Sequence, residues 1–249
     1  RIRRFSIYRI TEHWCVVGLF LVLVVTGLSQ RFYYLEASQW TILLLGGIDA
    51  TRLIHRFAGV LFSLLVLEHL LGVAFGVMFL RAQPHMAITK KDFLDARHNI
   101  RYYIGLESRP SACSRYDYNE KFVYWLVATG GIIMIMTGFA LWFPVEAVRF
   151  LPGQFIPAAK VMHSNEGMLI FLLLAVWHIY DSIFSPDVFP LDTSMFSGYI
   201  SRERMVREHP LELAELEGVF IKDIAGEEIT GGGGEEPPAE TQGDAPPGS

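Results

Sequence analysis

The sequence predicts an all-α fold: an integral membrane four-helix bundle with both termini on the cytoplasmic side. Three observations carry this reading. Charged residues make up 19% of the 249-residue chain and hydrophobic residues 51%, with a mean hydropathy of +0.32, whereas soluble domains carry about 25% charge. Four long apolar runs recur along the chain, and the basic residues are divided unevenly between the loops that join them. The same composition excludes other classes. A net charge of −5 and a pI near 5.9 leave no basic footprint for nucleic acid. Two cysteines, Cys15 and Cys113, build neither a disulfide scaffold nor a cysteine-only metal cluster. No Cys-x-x-Cys-His run is present to attach a c-type haem covalently.

A helix rising 1.5 Å per residue needs roughly 20 residues to cross the hydrocarbon core. The first span covers about residues 13–30, built on the uncharged run 14–29. Its basic start followed by apolar residues has the outline of a signal peptide, but no Ala-x-Ala-like cleavage site follows. The second span, about residues 55–80, is interrupted by Glu68 and His69. The third, about 121–143, is uncharged from Phe122 onward. The fourth, about 161–184, holds His163, Asn165, Glu166, His178 and Asp181. Residues 40–48 are apolar but too short to span, and read as an interfacial or re-entrant piece. Residues 185–220 form a cytoplasmic segment that completes a 1–220 domain. The remaining 221–249 stretch, acidic and rich in Gly and Pro, cannot bury a core and reads as disordered.

Loop charge sets the orientation. Sixteen basic residues fall on the side of the N-terminus, the loop between the second and third spans and the segment after the fourth. The opposite side holds five: Arg31, Arg52, Arg56, Arg149 and Lys160. Both termini are therefore expected in the cytoplasm. The net charge of −5 belongs to the tail, because residues 225–249 carry six acids and no Lys or Arg, which leaves +1 for the rest.

Ionisable residues at membrane depth are costly and are candidates for function. Five of the eight histidines lie in or at the ends of the spans. His55 opens the second span at the outer side, with His69 deeper by 14 residues; His163 opens the fourth, with His178 deeper by 15. Such steps cover about 21–22 Å along a helix and return to within roughly 40–60° of the starting face. Each of these helices can thus aim two imidazoles at one bundle interior, one near each surface. Haem iron takes an axial nitrogen from each side, and facing helices of a bundle supply such pairs. Two stacked bis-histidine b haems, close enough for electron tunnelling, need this pattern. At the outer level His55 and His163 pair. At the inner level His13, His69 and His178 compete for two positions. A metal transporter also uses intramembrane His and Glu, but its site belongs near the midplane rather than at two opposite surfaces.

The chain resembles the four-helix di-haem cytochrome b subunits of membrane formate dehydrogenases and nickel-iron hydrogenases, from about Arg4 to Glu217. The resemblance rests on Arg9, His13-Trp14 and Thr26-Gly27-Leu28 in the first span, and on Arg52-Leu-Ile-His55 with Gly59 in the second. It continues with Tyr116-Asp117, Lys121, Thr137-Gly138 and Trp142-Phe143-Pro144 around the third. His163 with Gly167 and His178-Ile-Tyr180 mark the fourth, and Ser201-Arg202 and Glu208-His209-Pro210 the closing segment. It implies His55 and His163 on the outer haem and His13 with His178 on the inner one. Three features depart from the pattern: Arg9 and His13 are separated by three residues instead of two, the His163–His178 step is 15 instead of 14, and His69 is extra. The 14 and 15 steps are similar to those in the cytochrome b of bc-type quinol complexes, which would pair His69 with His178; the first assignment is preferred. The segment with Phe189-Pro190, Gly198-Tyr-Ile200 and His209-Pro210 also resembles cytochromes b that partner multi-haem cytochromes c.

The resemblance implies a quinone, menaquinone or ubiquinone, near Tyr116 and Asp117; a helix N-cap by Asp117 is the competing reading. Arg101, Arg109 and Arg115 are either propionate partners or ordinary loop charge. His85, His98 and His209 read as surface residues. The expected function is electron exchange between a quinone pool and a periplasmic redox subunit, an iron–sulfur protein or a multi-haem cytochrome c, in the lipid of a bacterial or archaeal cytoplasmic membrane. The alternatives are a non-redox anchor subunit and a stand-alone b-type reductase or oxidase.

Overall fold

A computed structural model describes residues 1–186 and 188–218; the acidic tail lies outside the described residues. Four long apolar helices dominate: α1 (Ile7–Arg31), α3 (Ile48–Phe79), α5 (Tyr118–Trp142) and α7 (Phe155–Leu173), the last prolonged by two π-helical turns, Leu174–His178 and Tyr180–Phe184. All four exceed the crossing length. The shorter elements are β1 (Ile2–Arg3), α2 (Glu36–Leu44), α4 (Lys90–Tyr103), α6 (Pro144–Ala147), α8 (Ser194–Ser197), β2 (Tyr199–Ile200), α9 (Arg202–Glu208) and α10 (Pro210–Glu217). Helix α1 packs along α3 and α5 along α7, and α1 also meets α7, closing an all-α membrane bundle.

Local chemistry explains where the helices start. Ser6 caps α1 by accepting from the Arg9 amide at 3.3 Å. Thr89 with Asp92, and Asp117 with Glu120, form reciprocal capping boxes at α4 and α5. The apolar stretch 40–48 is neither a span nor a single piece. Helix α2 ends at Leu44, and Gly46 and Gly47, at φ of 93° and 98°, turn the chain into α3. Such backbone angles favour glycine because a Cβ would clash. Trp40, Leu43 and Leu44 stay exposed on α2.

The exposed apolar side chains of the long helices suit a lipid surround; the protein-packed core sits instead at the end that carries the N-terminus, here termed the terminal end. There β1 pairs antiparallel with β2 in the register Ile2–Ile200 and Arg3–Tyr199. Ile200, Met205 and Leu213 form a buried cluster against Ile2. Arg4 is buried, and donates to the Arg115 carbonyl at 2.9 Å and to Glu120 at 3.3 Å. Arg115 in turn donates to Glu212 and to the Arg4 carbonyl, each at 2.9 Å. Lys121 and Asp92 form a buried ion pair at 2.8 Å. Burial alone would raise the Asp92 carboxyl; the Lys121 and Thr89 hydrogen bonds outweigh it and hold it below the ordinary carboxylate range. N-terminus, central loop and closing segment are thus one cap, reaching across the chain to bury polar groups in pairs.

His209 corrects the sequence reading. It is buried, and its Nδ1 donates to the Ser114 carbonyl at 2.9 Å. Burial, followed by the nearby Arg4 guanidinium, lowers its pKa from 6.5 to about 4. The unfolded segment takes up a proton near pH 6.5 and the folded one only near 4, so this stabilisation is complete above 6.5 and is lost as the pH falls through that window. Hydrogen-exchange protection of α9 and α10 is expected to weaken from pH 6.5 toward 4, and His209→Gln to flatten that slope. An unchanged slope in the variant would assign the pH dependence to another group.

Candidate functional site

The bundle brings its histidines together in two pairs. At the far end, away from the cap, His55 of α3 faces His163 of α7 with ring centres 6.3 Å apart and planes at 77°. At the terminal end, His13 of α1 faces His178, with ring centres 6.2 Å apart and planes at 56°. An imidazole–metal bond is about 2.0–2.1 Å, so two imidazoles sharing one metal through opposite bonds have ring centres roughly 6.3 Å apart. Both pairs have that separation. The Nδ1 of His13 is buried and has no hydrogen-bond partner among the described residues. Such an orphaned group is unusual in a protein interior unless another partner satisfies it.

Close approach at the far end depends on small residues. A Cβ on Gly27 would meet His55 Cε1 at 3.2 Å, and one on Gly138 would meet His163 Cε1 at the same distance. The preceding residues, Thr26 and Thr137, are buried and contact the same rings, Thr26 Oγ1 at 2.8 Å from His55 Nδ1 and Thr137 Oγ1 at 2.9 Å from His163 Nδ1. His178 is reached through the first π-helical turn. A π-turn closes bonds one residue longer than an α-turn. That absorbs the extra residue in the 15-residue step from His163 and carries His178 to the face that a 14-residue α-helical step would reach.

His69 stands apart from this pairing. Its Nδ1 is hydrogen-bonded to Glu12 Oε1 and lies 3.3 Å from Arg9, while its Nε2 is 2.9 Å from the Tyr124 hydroxyl. Both ring nitrogens are therefore engaged by protein groups. No ring contact joins His69 to His178 among the described residues. Glu12 is buried and also accepts from Arg9 at 2.8 Å. Next to this network, Glu68 accepts from the Tyr8 hydroxyl. The Arg9–Glu12–His69–Tyr124 chain ties α1, α3 and α5 together at the depth of the His13–His178 pair.

Asp117 caps α5. Its Oδ1 accepts from the Glu120 backbone amide at 2.6 Å and its Oδ2 from the Asn119 side-chain Nδ2 at 3.3 Å. The Tyr116 ring lies under the guanidinium groups of Arg4 and Arg115, at 5.8 and 5.7 Å. Arg115 pairs with Glu212 and Arg101 with Glu107. At the far end Arg31 donates to Ser164 and, at 2.8 Å, to Asn165, while Arg56 lies 5.5 Å over Trp142. Glu12, Tyr124, Thr26 and Thr137 were not singled out as site residues from sequence. The one signal for the threonines was the recurrence of Thr-Gly in the first and third spans.

A family model for prokaryotic cytochrome b561 matches residues 4–198. Among curated relatives, the cytochrome b556(Fdn) subunit of nitrate-inducible formate dehydrogenase from Escherichia coli K12 is 23% identical over 87% of this chain and 92% of its own length. The formate dehydrogenase cytochrome b556(fdo) subunit of the same strain is 25% identical over 84% of this chain and 92% of its own length. The probable Ni/Fe-hydrogenase 1 B-type cytochrome subunit, also from that strain, is 26% identical, covering 77% and 87%. A cytochrome of this family carries b-type haem, and the donor set fits that group: paired imidazoles at metal-spanning separation, one buried nitrogen without a partner among the described residues, and glycines where the rings approach a helix. Four spanning helices and the matched family make it a multi-pass membrane protein. Matched from residue 4 to residue 198, the chain belongs to the prokaryotic cytochrome b561 family.

Proposed function

We propose that this protein is the membrane electron-transfer subunit of an oxidoreductase complex. It holds two b haems stacked across the bilayer and exchanges electrons between a quinone pool and a periplasmic redox partner. His55 and His163 hold the outer haem; His13 and His178 hold the inner one. The observation that carries this is the pair of ring separations, 6.3 and 6.2 Å, at opposite ends of one bundle. When bound, each haem supplies reversible one-electron ferric–ferrous chemistry.

The protein's own contribution is to space and orient the two sites. Helices α3 and α7 set the distance between the levels, and the lipid-facing helices exclude water from the path. His69, engaged at both ring nitrogens, is not an iron ligand in this reading but a polar partner beside the inner site. Tyr116 and Asp117, at the same end, border the quinone. Full reduction of a quinone takes up two protons with two electrons, so its site belongs near a water-accessible surface. The 16-to-5 split of basic residues supports a cytoplasmic terminal end, in a bacterial or archaeal cytoplasmic membrane. The far end then faces the periplasm and the partner, an iron–sulfur or multi-haem cytochrome c subunit. The formate dehydrogenase and hydrogenase subunits among the relatives support a partner of that kind. Residues 1–220 form the working domain, and the 221–249 tail is an appendage to it.

The direct test is the haem content of the purified protein. Two b haems per chain, both reducible by a quinol analogue, are expected from a pyridine haemochrome assay and reduced-minus-oxidised spectra. Folded protein without haem would instead identify a non-redox anchor. Turnover of a small diffusible substrate without any partner subunit would favour a stand-alone enzyme.

A further inference from the structure

We infer that Thr26 and Thr137 are positioning residues that hold the two outer-haem histidines in one tautomer and lower the potential of that haem. The inference rests on the two-haem reading above.

A threonine hydroxyl has one proton to give. Thr26 Oγ1 lies 2.7 Å from the Val22 carbonyl oxygen, and Thr137 Oγ1 lies 2.7 Å from that of Ile133. Two oxygens this close need a proton between them, and a carbonyl has none to offer. Each hydroxyl proton is therefore directed at its own helix, one turn back. Toward the imidazoles, at 2.8 and 2.9 Å, each Oγ1 can then only accept. His55 and His163 must carry their protons on Nδ1, which leaves the Nε2 lone pair of each ring for iron. The threonines, beside the Leu23 and Met134 backbone carbonyls that also bond these rings, thus settle which nitrogen is free to act as the ligand.

The device occurs twice. Thr26-Gly27 on α1 meets His55 of α3, and Thr137-Gly138 on α5 meets His163 of α7, with the glycine passing the same ring carbon at 3.2 Å in both. In each the threonine is buried, at 2% and 3% exposure, so water does not compete for the ring proton. The inner pair has no counterpart: neither His13 nor His178 makes a side-chain hydrogen bond among the described residues. A hydrogen bond accepted from Nδ1–H makes the imidazole a stronger donor through Nε2. Stronger donation favours ferric over ferrous iron, so it lowers the potential of the outer haem while the inner one serves as an internal reference.

The test is a spectroelectrochemical titration of Thr26→Val and Thr137→Val in the full chain, with the outer haem assigned in a His13→Ala background. Losing one hydrogen bond is expected to shift the ferrous-to-ferric ratio of the outer haem toward ferrous by up to about tenfold, or about 59 mV for a one-electron couple. The inner haem should not move, and Thr→Ser, which keeps the oxygen, should restore the wild-type value. Two haems with an unmoved outer potential would overturn the inference and leave the two-haem reading intact. Wild-type protein without haem would overturn that reading, and the inference with it. Where a valine variant loses its haem, pulsed EPR of the ferric wild type decides: the remote nitrogens of the outer ligands should show hydrogen-bonded quadrupole couplings, and couplings of a free N–H would overturn the role.

Discussion

Replacing His13 by alanine is expected to leave one b haem per chain where the wild type carries two, whereas His69→Ala keeps both. The two residues lie at similar depth, on α1 and α3, and differ in what their nitrogens already do. His13 faces His178 with ring centres 6.2 Å apart and a buried Nδ1 that no described residue satisfies. His69 spends Nδ1 on Glu12 and Nε2 on Tyr124. To ligate iron it would have to give up Tyr124 from Nε2 or Glu12 from Nδ1, and leaving a buried partner unsatisfied costs on the order of 1–3 kcal/mol. His69→Ala therefore acts on stability, lowering the thermal midpoint through the lost Glu12 and Tyr124 hydrogen bonds while the haem bands persist. Pyridine haemochrome counts and melting curves on the two variants separate the effects. A one-haem His69→Ala beside a two-haem His13→Ala would reverse the inner assignment.

His55→Ala and His163→Ala are each expected to remove the other haem and to stop electron exchange with the periplasmic partner almost completely. The inner haem of these variants should still be reduced by a quinol analogue, because His13 and His178 do not depend on the far end. Electrons would then enter from one side and go no further. Stopped-flow reduction from the quinone side, compared with reduction from an artificial donor on the periplasmic side, resolves the two halves. Gly138→Ala should give a milder form of the same defect. Its new methyl would sit 3.2 Å from His163 Cε1 and push on the ring without removing the ligand. Equal loss of both haems in either histidine variant would mean that the two levels do not assemble independently.

The spans were legible because a bilayer imposes a one-dimensional requirement, a long enough apolar run, that composition alone can meet or fail. Boundaries were less so. Helix α3 starts at Ile48, not near His55, because Gly46 and Gly47 turn the chain there and the end of a span can carry polar helical turns. The cap was not legible. Nothing local in Arg4, Arg115, Glu212 or His209 marks them as mutual partners, since each finds its partner about 95 or more residues away along the chain. His209 read as a surface residue because it lies outside the spans, yet it is buried and bonded to the Ser114 carbonyl of the central loop.

The site divides in the same way. Spacing along one helix reports height and face, so sequence by itself determined that histidines lie at two depths and that His55 and His163 share the outer one. It also determined the charge asymmetry on which the proposed orientation rests and, through motifs such as Thr26-Gly27 and Thr137-Gly138, the family resemblance. Only the tertiary structure decided which inner histidine meets His178, because three residues at one depth are distinguished by how α1, α3 and α7 are rotated against one another. Rotation follows from packing: the Glu12–His69–Tyr124 bonds turn His69 toward α1 and α5, and a π-turn turns His178 toward His13. Tertiary structure likewise decided what the two Thr-Gly pairs touch, since a hydroxyl meets an imidazole only when the ring lies within hydrogen-bond reach, and no periodicity along one helix encodes the distance to the next.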